Sequence, residues 1–83
     1  MDELITSFEK NTLEEIRISL LQYKGYYFID IRIFSAPQRG EEKTSTPSGI
    51  TLPVALLGRL KNSILEVEKV LIERKLLGNG EGY

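Results

Sequence analysis

The chain of 83 residues contains no cysteine, no histidine and no tryptophan. Without cysteine there can be no disulfides, and without histidine and cysteine the common acid–base and thiol mechanisms of catalysis are missing. Carboxylates are the only remaining metal ligands, but the side chains of the adjacent pairs Glu14-Glu15 and Glu41-Glu42 diverge in an extended chain. The sequence therefore predicts a protein that is not an enzyme and takes no metal, cofactor or small-molecule substrate.

Long apolar runs are also missing. None approaches the roughly 20 residues that a membrane-spanning helix needs. The start, Met1-Asp2-Glu3, is acidic and lacks the cationic segment of a signal peptide. We therefore expect a cytoplasmic protein that has no contact with a membrane.

The small size of the chain allows one domain. Such a domain buries only about 60% of the surface that its unfolded chain exposes, so it is marginally stable alone. Disulfides, metals and oligomerisation are the usual supports. Because disulfides are excluded and no metal site is predicted, oligomerisation remains as the expected support.

The stretch "YKGYYFIDIRIF", residues 23–34, holds five of the seven aromatic residues of the chain. Lys24-Gly25 is typical of a tight turn, because glycine accepts positive φ without a Cβ penalty. The strand predicted after it, Tyr26 to Phe34, alternates with a period of two. One face, suited to a core, carries Tyr27, Ile29, Ile31 and Ile33. The other face carries Tyr26, Phe28, Asp30, Arg32 and Phe34.

The flanking segments are less regular. Residues 1–11 are expected to be loosely ordered, as termini often are. Residues 13–23 alternate as a strand does, but Thr12 with Glu15 also matches a helical capping box, so both structures stay open. Residues 35–48 are polar with two prolines, which indicates a loop or a second hairpin with a long tip. Residues 49–52 are typical of a short strand.

The clearest predicted element is a helix from Pro53 to Leu77, stopped by Gly78. Its length would be roughly 37 Å. Further apolar residues widen its stripe beyond what one small sheet can cover, and a large exposed apolar patch usually marks an interface. We therefore expect a homodimer joined through this helix, the alternative being a single helix with a few exposed leucines. The predicted interface residues are Leu57, Leu60, Ile64, Val67 and Leu71.

Aromatic rings with interspersed cations are what a single nucleic-acid strand requires. Bases stack on rings at about 1–3 kcal/mol each, while cations neutralise phosphates. If residues 13–23 form a strand, Arg17 and Tyr23 join the aromatic side of the sheet, with Lys24 at the turn. The net charge of −1 does not exclude a local cationic surface. The alternative is a protein-interaction sheet that carries aromatics because strands favour them.

The order of the motifs resembles the positive cofactor 4 family, the single-stranded-DNA-binding domain of a transcriptional coactivator, in its short prokaryotic or phage form. The matching pieces are Tyr23 with Lys24-Gly25, then "IDIR" at residues 29–32, then "GITL" at residues 49–52 before the helix. The resemblance covers residues 14–77. It implies an α+β fold with a curved four-stranded antiparallel sheet, one long C-terminal helix and a homodimer. It also implies that residues 13–23 are a strand.

The resemblance implies the function as well: single-stranded DNA, or RNA, bound in channels formed by the β-hairpins, with no cofactor. Tyr23 and Lys24 fall on binding positions of the family, and Arg32 on a cation of its second strand. Family lysine and tryptophan positions are here Tyr26 and Ser35. The predicted nucleic-acid-binding residues are Arg17, Tyr23, Lys24, Tyr26, Phe28, Arg32, Phe34, Arg39 and Lys43.

The sequence divides into three predicted segments. These are a flexible segment over 1–11, a binding and dimerisation domain over 12–77, and a flexible tail over 78–83. The expected process is transcription, replication, recombination or repair, close to the nucleoid if the source is prokaryotic. The alternative function is a structural or protein-interaction domain of the same fold without strong nucleic-acid binding.

Overall fold

The computed structural model describes residues 2–78, in which each strand pairs with its neighbours in the sequence. The sheet order is β1-β2-β3-β4, and every pairing is antiparallel. A 3₁₀ turn and one α-helix follow, so the predicted α+β architecture is confirmed. The elements are β1 (Asp2–Glu9), β2 (Glu14–Tyr23), β3 (Tyr26–Ser35), β4 (Thr44–Pro53), the 3₁₀ turn (Val54–Leu56) and α1 (Leu57–Glu73).

The β2–β3 hairpin closes through a two-residue turn in which Lys24 and Gly25 both have positive φ, 51° and 81°. This turn geometry matches the right-handed twist of the flanking strands. Tyr23 pairs with Tyr26, and the register continues without a break to Glu14 and Ser35. Residues 13–23 therefore form a strand from Glu14 onward, as the resemblance implies.

Continuous register gives the sheet two distinct faces, because paired residues point the same way. The aromatic face carries, on β2 and β3, Glu15, Arg17, Ser19, Leu21, Tyr23, Tyr26, Phe28, Asp30, Arg32 and Phe34. The aliphatic face carries, on the same strands, Ile16, Ile18, Leu20, Tyr27, Ile29, Ile31 and Ile33. The two-face alternation predicted from the sequence is confirmed.

The prediction of a flexible segment over 1–11 is wrong for residues 2–9, which form β1 along β2. The β1–β2 turn is fixed by Asn11, whose Oδ1 accepts hydrogen bonds from the amides of Leu13 and Glu14 at 3.0 and 2.9 Å. The register of β1 along β2 shifts between Leu4 and Thr6. That bulge breaks the period of two, which is the signal by which a strand is found in sequence.

The segment before the helix is a second hairpin, the other alternative left open by the sequence. β4 begins at Thr44, five residues earlier than the predicted strand at 49–52. Three residues of β4, Thr46 to Ser48, lie opposite the single residue Ile33 of β3. This irregularity is flanked by the pairs Arg32–Gly49 and Phe34–Ser45. Pro47 has no backbone N–H to donate to the hydrogen-bond ladder between β3 and β4. The Thr46 hydroxyl donates to the Ile33 carbonyl at 2.7 Å instead.

The helix is shorter than predicted. It begins at Leu57 rather than Pro53 and ends at Glu73 rather than Leu77. Lys75 adopts φ 56°, its amide donates to Ile72 O, and the Leu76 amide donates to Leu71 O. This is a Schellman end with lysine in the usual glycine position, so it stops the helix before Gly78.

Very little of the described chain is buried. Ala36 is its one buried apolar residue, and no residue of α1 is buried. Among the predicted interface residues, Leu57, Ile64 and Val67 are 53%, 57% and 58% exposed, while Leu60 and Leu71 are half-buried. No helix within residues 2–78 has the length and apolarity to cross a membrane. The predicted tail over 78–83 lies, apart from Gly78, outside the described residues.

Candidate nucleic-acid interface

The most exposed part of the aromatic face is the tip of the β2–β3 hairpin. Tyr23 and Tyr26 lie opposite each other and are 64% and 71% exposed. Lys24 Nζ lies 5.2 Å from the centroid of the Tyr23 ring, a distance typical of a cation–π contact. Two accessible rings and one cation therefore meet at this tip, as the sequence predicts.

At the other end of the same face, Arg17 stacks on Phe34. The Arg17 guanidinium carbon lies 4.1 Å from the centroid of the Phe34 ring. Its Nε also donates to Glu15 Oε1 at 2.5 Å, so its charge is compensated within β2. One side of the Phe34 ring is thus covered by the cation. Phe28 lies between the two ends and is half-buried.

Arg32 is held by four hydrogen bonds. Its Nη2 donates to Asp30 Oδ1 at 2.8 Å and to Thr51 Oγ1 at 3.2 Å, and its Nε donates to Asp30 Oδ2 at 3.3 Å. Its Nη1 donates to the Pro47 carbonyl at 3.0 Å. We call the set of Asp30, Arg32, Pro47 and Thr51 the Arg32 brace.

Two cations directly opposite each other in a sheet repel one another. Arg17 pairs with Arg32 across β2 and β3. Each has its own carboxylate two residues earlier on its strand, Glu15 for Arg17 and Asp30 for Arg32. Both arginines are thereby neutralised, and the repulsion between them is offset.

The brace changes the protonation of its members. Hydrogen bonding from Arg32 holds the pKa of Asp30 below its ordinary value, with a smaller contribution from the Thr51 hydroxyl. The same contact raises the pKa of the Arg32 guanidinium above its ordinary value. Both shifts favour the charged pair, so the brace is intact at neutral pH.

Gly49 makes room for the brace. A Cβ at this position would lie 2.3 Å from Ile31 O, 2.9 Å from Arg32 Cα and 3.2 Å from the Arg32 guanidinium carbon. Its φ of 153° is also one that other residues rarely adopt. Gly49 and Thr51 belong to the "GITL" family motif, but their roles of admitting and binding Arg32 are not evident from the sequence.

Three cations of residues 2–53 have no ion-pair partner among the described residues: Lys24, Arg39 and Lys43. Arg39 is exposed and Lys43 half-buried, both in the loop between β3 and β4. Lys24 lies at the opposite end of β3. The structure therefore places these three unpaired cations at the two ends of β3, with the neutralised Arg32 between them.

Known proteins were compared with this sequence and fold. No family model matches the sequence, and no curated protein gives a significant match. Two crystal forms of BPSL1147, a PC4 homolog from Burkholderia pseudomallei, match the structure. The orthorhombic form has a TM-score of 0.72 and 26% identity, covering 80% of this chain and 88% of that one. The tetragonal form has a TM-score of 0.73 and 25% identity, covering 82% of this chain and 98% of that one.

These matches cover at least four fifths of both chains, and PC4 is the positive cofactor 4 that the sequence motifs resemble. The fold and the motif order agree. The comparison thus confirms that this chain is similar to the positive cofactor 4 family, in a form like that of a bacterial homolog.

Proposed function

We propose that this protein binds single-stranded DNA with little sequence specificity, as a homodimer, in transcription, replication, recombination or repair. The observation that carries the proposal is the pair of exposed rings, Tyr23 and Tyr26, beside Lys24 at the hairpin tip. The similarity to a PC4 homolog supports it.

The recognition follows from the chemistry of the tip. Every base has a π-face, so stacking on Tyr23 or Tyr26 is tolerant of sequence and contributes about 1–3 kcal/mol per base. A duplex hides those faces inside its own stack. The tip therefore favours single strands over duplex.

Phosphate contacts make a smaller contribution in this proposal. Arg17 and Arg32 are compensated by carboxylates, which leaves Lys24, Arg39 and Lys43 to neutralise phosphates. Each contact contributes about 0.7 to the slope of log affinity against log salt for a single strand, so three contacts give a slope of about 2 per protomer. We expect binding that depends on stacking more than on charge.

The proposed homodimer rests on the exposed apolar residues of α1. Burying a side chain such as Ile64 or Leu57 stabilises a protein by about 1.5–3 kcal/mol. In the single chain these side chains are more than half exposed, and nothing in residues 2–78 covers them. A second copy offers the same apolar stripe, and the matching pair of surfaces is what a two-fold interface requires.

The proposal is tested by fluorescence anisotropy with labelled single-stranded DNA, single-stranded RNA and duplex DNA of equal length. Titrations between about 50 and 200 mM salt give the slope. We expect single-stranded DNA to bind more tightly than duplex, with a slope of about 2 per protomer. Equal or tighter binding of duplex would contradict stacking and indicate an electrostatic contact alone.

The compensated arginines favour a second candidate, a protein-interaction domain of this fold without strong nucleic-acid binding. Carboxylates on Arg17 and Arg32 leave the end of the aromatic face opposite the hairpin tip without net charge. In this case neither single strands nor duplex would bind at the lowest salt of the titration. The same experiment thus separates the two candidates.

A further inference from the structure

We propose that Arg32 is a positioning residue, which fixes the β3–β4 hairpin so that Arg39 and Lys43 can contact a nucleic acid, and that it is not itself a phosphate ligand. The inference rests on the proposed function. It departs from the expectation that the sequence gives, in which Arg32 binds directly.

The hydrogen bonds of Arg32 leave little for a phosphate. A guanidinium has five N–H donors. Four hydrogen bonds to Asp30, Thr51 and Pro47 use four of them. The side chain is only 19% exposed, and the Asp30 carboxylate beside it repels an approaching anion. A phosphate would have to displace at least part of this set.

What the brace holds is the irregular part of β4. Thr46 to Ser48 bulge opposite Ile33, where regular ladder pairing is interrupted. The contact from Arg32 Nη1 to the Pro47 carbonyl crosses this bulge, and the contact to Thr51 anchors the strand beyond it. Arg32 therefore bridges both sides of Gly49.

The bulge leads directly into the loop with the two unpaired cations. Lys43 directly precedes Thr44, the first residue of β4, and Arg39 lies four residues before Lys43. Neither has an ion-pair partner within the described residues that would fix its own position. Together with the Thr46 hydroxyl, which donates to the Ile33 carbonyl, the brace supplies the fixed contacts on β4 that can restrain their approach to a ligand.

Replacing Arg32 by lysine separates the two roles. Lysine keeps the charge, so a phosphate ligand would survive the change. Its three donors lie around one atom and cannot reach Asp30, Thr51 and Pro47 together, so a brace would not survive it. Binding of labelled single-stranded DNA is measured for Arg32→Lys and Arg32→Met, with melting curves to confirm that both remain folded.

We expect both variants to weaken binding by the same factor, roughly twofold to tenfold, as restraint on two long side chains is lost. Parent-like binding by Arg32→Lys, with loss in Arg32→Met alone, would overturn the proposal. In an Arg39→Ala/Lys43→Ala background, which should itself bind more weakly, Arg32→Lys should cause no further loss. A further loss of the same factor, or no effect of Arg39→Ala/Lys43→Ala, would also overturn it.

Hydrogen exchange tests the brace even if the parent protein fails to bind DNA, a result that would overturn the proposed function instead. The amides of Ser48 and Gly49 should exchange faster in Arg32→Lys than in the parent, while those of Ile18 and Leu20 in β2 remain unchanged. Parent-like exchange at Ser48 and Gly49 would show that Arg32 does not hold the bulge.

Discussion

Two lysines, Lys24 and Lys75, are the non-glycine residues with left-handed backbone in the described part of the chain. An L-residue pays roughly 1–2 kcal/mol for this conformation. Lys75 ends a helix, where glycine or asparagine would fit better. Lys24 occupies the first position of the hairpin turn, beside the two exposed tyrosines, and the proposed binding role would account for a cation at this strained position.

Lys24→Asn should separate charge from turn geometry. Asparagine followed by glycine is the preferred sequence for this turn, so the hairpin should be as stable as the parent or more so. Loss of the cation should lower single-strand affinity and reduce the salt slope by about 0.7. Anisotropy titrations at several salt concentrations measure both. An unchanged slope would mean that Lys24 contacts no phosphate.

Tyr26→Ala should weaken single-strand binding by about 1–3 kcal/mol if a base stacks on the ring. The salt slope should remain that of the parent, because no phosphate contact is lost. Tyr23→Ala should behave in the same way. Tyr26→Phe is the matched control, since it keeps the ring and should retain most of the affinity. If both alanine variants fold and bind like the parent, the tyrosines only cover the sheet.

Asp30 makes the stability of the protein sensitive to acid. Its pKa in the folded state is lowered, chiefly by Arg32, from an ordinary value of 3.8. Its stabilising contribution is therefore complete above the unfolded value and is lost as pH falls through the lower folded pKa. Melting temperatures should decline below about pH 4. Asp30→Asn should melt lower at neutral pH and lose part of this decline, the rest coming from Glu14, whose pKa Lys10 also lowers.

At the scale of elements, the two hairpins differ in how visible they are in the sequence. The β2–β3 hairpin could be predicted because Lys24-Gly25 is a turn signal and the period of two is unbroken to Phe34. β1 could not, because the bulge at Ile5 shifts its alternation. The early start of β4 was hidden by Pro47 and by serines and threonines, which are typical of loops.

The candidate site follows the same division. The tip residues Tyr23, Lys24 and Tyr26 could be predicted because their positions depend only on one hairpin. The environment of Arg32 could not, since it depends on Pro47 and Thr51 from a strand reached by a loop and a bulge. The sequence pattern shows which face of a strand carries a cation, but it does not show which residues of a neighbouring strand bind that cation.

The helix end gives a prediction at this scale. Lys75→Gly should raise the free energy of unfolding by about 0.5–1 kcal/mol, because glycine relieves the left-handed strain but gains entropy when unfolded. Lys69→Gly, a lysine in the middle of α1, should lower it by about 1 kcal/mol. Urea denaturation measures both. Destabilisation by Lys75→Gly would mean that the Lys75 side chain contributes more than its backbone costs.

At the scale of the molecule, residues 2–78 of this 9.4 kDa chain contain one fully buried apolar residue, which is very little core for a folded domain. We expect sedimentation to give about twice the chain mass and melting temperature to rise with protein concentration, as linkage requires. Ile64→Asp should dissociate or unfold the protein, because an unpaired charge in an apolar interface is costly.

Asn62→Asp is the matched control for Ile64→Asp. It places the same charge on the same helix but on another face. At 100° per residue, position 62 lies about 160° around the helix axis from position 64, away from the apolar stripe. This variant should remain a dimer with nearly the stability of the parent. A parent protein that stays folded as a monomer on dilution would contradict the expected assembly.

The order of the strands also bears on how the chain emerges during synthesis. Each strand pairs only with strands next to it in the sequence. Local pairings form early and N-terminal segments fold first, so the sheet can be complete while the helix is still being made. The apolar stripe of α1 then reaches solvent after the sheet. In the proposed homodimer, a nascent chain would thus meet the second copy with its sheet already folded, and its apolar stripe would be exposed to solvent only briefly.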